Sequence, residues 1–393
     1  KIVLKREKQP ELPASGKQPP TVRLGRDVLC ALVENYLEQI AHPEFRPARG
    51  LQLQSRPGVP SLQPQRTDLL GEILLPAAAR KRIEAHKPDC LVIVPDGALH
   101  KLPFEALLLP AGRSSSYVLD ELPPLAYAPS VAILALLAER RPAAPNGLKS
   151  LLTVADPAYP QAKEGAGQEA KVQRPALPDL SHVPGSMLSK LPGPFPLLPG
   201  TRAESESLER LFARDQVKAL RGPKATKEAL LAELSGRHVV HIAAHGIAHM
   251  HFRNLFGGLA LAPGEGAEKD DGFLPLHEIY ALPLRKCELA VLSACVTNVG
   301  PQLPLEAGVT LSGGFLAAGA RRVVASHWGV DDEATAELMK VFFAKVMGAA
   351  KDDRRGIYAR ALQEARRQVR AHRDRDWSAP YFWAPFVLIG PAD

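Results

Sequence analysis

Two short stretches of the chain carry residues able to break a covalent bond. "HVVHIAAHG" ends on His245 and Gly246, and "LAVLSACVT" delivers Cys295. A cysteine thiolate is the nucleophile of acyl transfer, and a nearby imidazole either takes the thiol proton or protonates the leaving amine. The tetrahedral intermediate then needs hydrogen-bond donors for its oxyanion. Gly246 has no side chain, so its N–H can approach a substrate carbonyl closely. A single cysteine or histidine after a strand is usually structural. Both together, each at the end of an apolar run, point to a thiol hydrolase. Cys287, at the start of the same run as Cys295, reads as the inert cysteine.

The histidines allow a competing reading. His238, His241, His245, His249 and His251 crowd together, and His241 and His245 would share one face of a single strand. A zinc site needs converging ligands. No acidic residue or cysteine follows at ligand spacing, so neither a metal nor a cofactor is expected.

These residues need a scaffold. "CLVIVP", "SLLTVADP", "HVVHIAA", "CELAVLSA", "RRVVAS" and "FVLIG" are apolar runs of strand length, and amphipathic helical patterns lie between them. Strands that alternate with helices and are apolar throughout imply a mostly parallel sheet covered on both faces, with functional residues at the strands' carboxyl ends. Leu91–Val94 is expected as a buried strand. Thr67 is expected to cap a helix from Asp68 to His86 that Pro76 interrupts. Thr201 and Glu204 have the spacing of a capping box at the start of "TRAESESLERLFA". Residues 1–65 read as an N-terminal extension, partly disordered, with one short helix in "DVLCALVENYLEQI". Residues 157–200, rich in Pro and Gly, read as a flexible and cleavable loop.

The 393 residues suffice for more than one domain-sized unit. No apolar run approaches the ~20 residues a membrane helix needs, and no signal peptide is visible. The four cysteines show no paired spacing, which argues for reduced thiols and a cytoplasmic location. The chain starts without methionine, so further domains could precede it. The net charge of +7 owes much to "RRGIYARALQEARRQVRAHRDR". That run reads as a solvated helix face. It lacks interleaved aromatics, so nucleic acid is not an expected direct partner. Trp328, Trp383 and Phe386 read as core, and Glu306 as structural.

Taken in order, "LVIVPDGALHKLPFEALL", "LPGTRAESESL", "ATKEALL", "HVVHIAAHG", "LAVLSACVT", "GGFLAAGARRVVASHWGVDDEAT" and "YFWAPFVLIG" resemble the CHAT domain, a caspase-like peptidase module related to separases and gingipains. The resemblance covers about residues 66–391. It implies a caspase-like three-layer α/β sandwich with a mostly parallel central sheet. Residues 66–150 would be an inactive, pseudo-protease-like half, and 151–393 the peptidase half. It implies a cysteine endopeptidase with His245 and Cys295 as the catalytic pair and the N–H groups of Gly246 and Cys295 as the oxyanion hole. The separation of fifty residues between His245 and Cys295 matches the caspase interval of about 50 residues.

The chain departs from the family pattern at Val296, where an acidic residue is common, and at His327, where leucine is common. In separases, the segment corresponding to "HWGVDDEAT" is associated with an acidic pocket for a P1 arginine. Asp331 and Asp332, together with Asp156 at the end of "LLTVAD", are therefore candidate S1 carboxylates. Capping of the following helix is the alternative role for Asp332 or Glu333. A protein substrate, a regulatory partner or upstream sensor domain, self-cleavage, and a signalling or bacterial defence role are the expectations that follow. A catalytically silent scaffold of the same fold is the alternative.

Overall fold

The computed structural model describes residues 26–42, 68–111, 114–140, 147–159, 195–247, 254, 257–264, 271–294, 309–350 and 353–393. Thr67, His249, His251, Cys295, Val296, Glu306 and most of the 157–200 loop lie outside the described residues.

Helix α1 (Arg26–Ile40) comes first, then α2 (Leu69–Leu74) and α3 (Ala77–His86). Pro76 does divide the expected helix: it caps α3 in an extended conformation, where its missing N–H costs nothing. Strand β1 (Leu91–Ile93), the hairpin of β2 (Leu108–Ala111) and β3 (Ser114–Tyr117), α4 (Val118–Glu121), β4 (Leu125–Tyr127) and α5 (Val131–Glu139) follow. The chain continues through β5 (Leu151–Pro157), α6 (Pro199–Glu209), β6 (Val217–Gly222), α7 (Lys227–Leu234) and β7 (Val239–Ala243). A small antiparallel sheet of β8 (His245–Ile247), β9 (Gly258–Ala260) and β10 (Phe273–Pro275) precedes α8 (Leu276–Ile279) and β11 (Leu289–Leu292). The last elements are α9 (Leu311–Ala318), β12 (Val323–Ser326), α10 (Asp332–Gly348), α11 (Ile357–Arg370), α12 (Pro380–Trp383) and β13 (Phe386–Ile389).

Eight strands form the central sheet in the order β1-β4-β13-β12-β11-β7-β5-β6. All pairings are parallel except that of β12 with β13. The strands of residues 91–127 therefore join the rest through the C-terminal strand β13. In β7, β11, β12 and β13 every residue is buried, and each large aliphatic side chain so placed contributes about 1.5–3 kcal/mol. Strand β1 differs from its expectation. It is an edge strand with one neighbour, and Val92 stays 41% exposed.

The two-histidine strand also differs. β7 ends at Ala243, and His245 begins β8 in the other sheet, paired with Ala260. His241 and His245 are thus not neighbours on one strand face.

The arginine run is not simply a solvated face. Arg366 of α11 is fully buried, and its Nη1 lies 2.6 Å from Glu105 Oε1. Tyr127 Oη donates to the other oxygen of Glu105 at 2.6 Å. Arg370 grips both oxygens of Asp120 at 2.8 and 2.7 Å, and Gln363 donates to the carbonyls of Leu119 and Leu122. These groups fasten residues 104–122 to α11, since a buried cation persists only where it is paired. Tyr36 of α1 donates to the Ala106 carbonyl at 2.6 Å. Trp383 and Phe386 are fully buried, as expected of core residues, and Trp328 is partly buried.

Candidate active site

His245 stands just beyond the carboxyl end of β7. Its Nε2 lies 2.8 Å from the Pro196 carbonyl oxygen. A carbonyl only accepts, so Nε2 carries the proton and the neutral ring presents the lone pair of Nδ1. The ring stacks on Phe195, with centroids 5.1 Å apart at 23°, and tilts against Tyr159 at 5.3 Å. The Tyr159 hydroxyl accepts the His245 N–H at 3.3 Å and donates to the Ala260 carbonyl at 3.0 Å. Burial holds the His245 imidazolium below its ordinary range, against a smaller opposing contribution from the Pro196 carbonyl. The ring is thus held in one orientation, with its charged form disfavoured by burial. Gly246 is buried in β8 opposite Leu259.

β11 runs parallel beside β7, with Leu292 opposite Ile242. The Ser293 N–H continues that ladder to the Ile242 carbonyl at 2.9 Å. Ser293 lies two residues before Cys295 in the sequence. Beneath this edge is a buried polar network. Glu204 Oε1 accepts from His241 Nε2 at 2.9 Å, and Oε2 accepts from the Ser293 hydroxyl at 3.0 Å. Thr153 Oγ1 lies 2.8 Å from His241 Nδ1 and 3.0 Å from Ser205 Oγ. The capping box expected of Thr201 and Glu204 is thus not formed. Leu198 is the N-cap of α6, with no side-chain cap bond, and Pro199 opens the helix. Thr201 instead donates to the Leu198 carbonyl and accepts the Asp156 N–H. Glu204 faces inward because two buried donors on neighbouring strands need its oxygens.

The three candidate S1 acids have different surroundings. Asp156, the penultimate residue of β5, has a left-handed conformation, φ 47°. Its Oδ2 is taken by Nε and Nη2 of Arg202 at 3.0 and 2.9 Å. Asp331 is the N-cap of α10, accepting the Ala334 N–H at 2.9 Å. Asp332 follows it, half-buried. It has neither an ion pair nor a hydrogen bond among the described residues, and burial, Asp331 and Glu204 raise its carboxyl above the usual range. A Cβ on Gly200 would sit 2.5 Å from that of Asp332. Glycine is therefore what lets the start of α6 close onto the start of α10. Glu333, the other acid of that turn, pairs with Arg375 at 2.7 Å.

Burial pushes the thiols of Cys90 and Cys287 up to about 12, which leaves both as thiols rather than nucleophiles. His327 directly follows β12 and is buried. Neither ring nitrogen has a hydrogen-bond partner among the described residues, and burial, then Arg366 and His100, lower its pKa to about 3. Among the described residues, no His, Cys, Asp and Glu side chains gather in threes that could hold a metal ion. No helix among them is long and apolar enough to cross a membrane.

A mostly parallel eight-stranded sheet, with His245 just beyond the carboxyl end of its inner strand β7, frames the candidate site. The chain belongs to the CHAT domain family, which matches it over residues 65–391. No curated protein matches the chain. Among solved structures it is similar to the Arg-specific cysteine proteinase gingipain R, with 10% identity and a TM-score of 0.41 over 68% of this chain and 54% of that one. The complex of Porphyromonas gingivalis RgpB pro- and mature domains gives 8% identity and 0.40, over 69% and 56%. The Saccharomyces cerevisiae separase–securin complex gives 15% identity and 0.45, over 93% of this chain and 23% of that one. The chain thus spans about half the length of the gingipain chains and about a quarter of separase.

Proposed function

We propose that the chain is a cysteine endopeptidase that cuts a protein substrate after a basic residue, arginine foremost, through Cys295 and His245. The setting of His245 carries this reading: the Pro196 carbonyl orients the ring through Nε2, and Nδ1 has no hydrogen-bond partner among the described residues. Nδ1 accepts the thiol proton of Cys295, and the sulfur attacks the scissile carbonyl carbon. The N–H groups of Gly246 and Cys295 receive the oxyanion. The imidazolium returns its proton to the leaving amine as the C–N bond breaks, and water then hydrolyses the thioester.

Of the three candidate S1 acids, Asp332 suits a substrate guanidinium best. It is half-buried and has no ion-pair or hydrogen-bond partner among the described residues, whereas Asp156 is held by Arg202 and Asp331 caps α10. Residues 66–150 are the inactive counterpart half in this reading. Control by a partner, a sensor domain or self-cleavage, in a cytoplasmic signalling or defence setting, completes it. A fluorogenic peptide panel with the wild type and Cys295→Ala tests the proposal. Cys295-dependent cleavage with arginine preferred at P1 is expected. Preference for aspartate or bulky apolar residues overturns the specificity, and absence of any Cys295-dependent cleavage leaves the silent scaffold.

A further inference from the structure

α6 is placed to set the geometry of both catalytic segments through one side chain. It begins three residues after Pro196, which with Phe195 forms the pair that hydrogen-bonds and stacks on His245. On its inward face Glu204 is 2% exposed, and its two oxygens reach different strands. One accepts from His241, four residues before His245; the other accepts from Ser293, two residues before Cys295. His241, Thr153 and Ser205, which extend the network, are all fully buried. A carboxylate can accept at both of its ends, which a carboxamide of the same shape cannot do, because one of its two ends is a donor.

We propose that Glu204 is a positioning residue of the peptidase. It ties the end of β11 to β7, and so sets the approach of the Cys295 segment to His245, without touching the substrate. The proposal rests on the Cys295–His245 reading for its consequence in catalysis, while the tie itself stands on the network alone. It accounts for an otherwise costly feature, an acidic group placed beneath the sheet edge rather than at the helix surface.

The test compares the wild type with Glu204→Gln and Ser293→Ala. Kinetics with an arginyl fluorogenic peptide are measured beside the rate of Cys295 alkylation by iodoacetamide, followed by peptide mass spectrometry, and the melting temperature. Ser293→Ala removes one hydroxyl and no volume of consequence, so it covers the case in which Glu204→Gln fails to fold. For a folded variant the expectation is a fall in kcat of about tenfold or more with KM within about twofold, the pattern of a loss of transition-state stabilisation without a loss of substrate binding. Cys295 alkylation is expected to slow several-fold, with the melting temperature nearly unchanged. Unchanged kcat and alkylation in either folded variant overturn the positioning role, as does a loss of activity that merely tracks the folded fraction. If the wild type hydrolyses nothing but its Cys295 alkylates faster than in the variants, the peptidase reading falls and the positioning role stands.

Discussion

Acidification from about pH 7 to about pH 5 is expected to cost the folded chain about 2 kcal/mol through His327 alone. The folded imidazole protonates only near 3, against 6.5 in the unfolded chain. Above the unfolded value neither state binds the proton, and His327 makes stability independent of pH. Below it the unfolded chain takes up a proton that the folded chain refuses, so stability falls by about 1.4 kcal/mol per pH unit until the folded value is reached. The cause is structural: a ring 6% exposed, no hydrogen-bond partner among the described residues, and the charges of Arg366 and His100 nearby. His327→Leu removes the titrating group and the two unpaired nitrogens, whose burial costs about 1–3 kcal/mol. Urea unfolding followed by tryptophan fluorescence, at both pH values and for both proteins, isolates the effect. The wild type is expected to lose about 2 kcal/mol more than His327→Leu on acidification, and the variant to be at least as stable at neutral pH. Equal pH dependence in the two proteins would refute the reasoning, because His100 and every other group are common to both.

Three further outcomes follow from the geometry. Arg366→Met takes from the buried Glu105 its ion-pair partner, and is expected to destabilise the protein by about 3–5 kcal/mol in thermal or urea unfolding, with much of that recovered when Glu105→Leu is added. Asp332→Asn is expected to reduce the preference for arginine over an uncharged P1 residue by about tenfold or more in kcat/KM, a loss of one charge-assisted pair. Asp156→Asn, by contrast, should change that ratio little because Arg202 already holds its carboxylate. A larger effect at Asp156 than at Asp332 in the same peptide panel would reverse this assignment.

Much of the frame was legible because burial on both faces leaves a plain mark. The runs at 239–243, 289–292, 323–326 and 386–389 are apolar but for His241 and Ser326, and all lie within the sheet. His245 was legible for the same reason, as a polar residue where an apolar run stops. The partner that orients it was not. Pro196 contributes a backbone carbonyl, and a carbonyl is present in every residue, so no side-chain pattern announces it. Glu204 illustrates a different failure. Thr201 and Glu204 have the spacing of a local cap, yet two buried donors on other strands claimed the carboxylate. Local spacing cannot report a demand that arises only when strands distant in sequence meet. The arginines of α11 were misread for a related reason. Arg366 and Arg370 look like solvated charges until Glu105 and Asp120 arrive from residues 105–120. Likewise β1 carries an apolar sequence but lies at the sheet edge, where only the topology determines exposure.

The central claim is that Cys295 and His245 together hydrolyse peptide bonds, and one measurement addresses it most directly. Wild type, Cys295→Ala and His245→Ala are incubated with a proteome-derived peptide library, and new termini are mapped by mass spectrometry. The account predicts cleavage after arginine in the wild type and its loss in both variants, with His245→Ala still folded by circular dichroism. Cleavage that survives Cys295→Ala, or a folded wild type that generates no new termini, would contradict it.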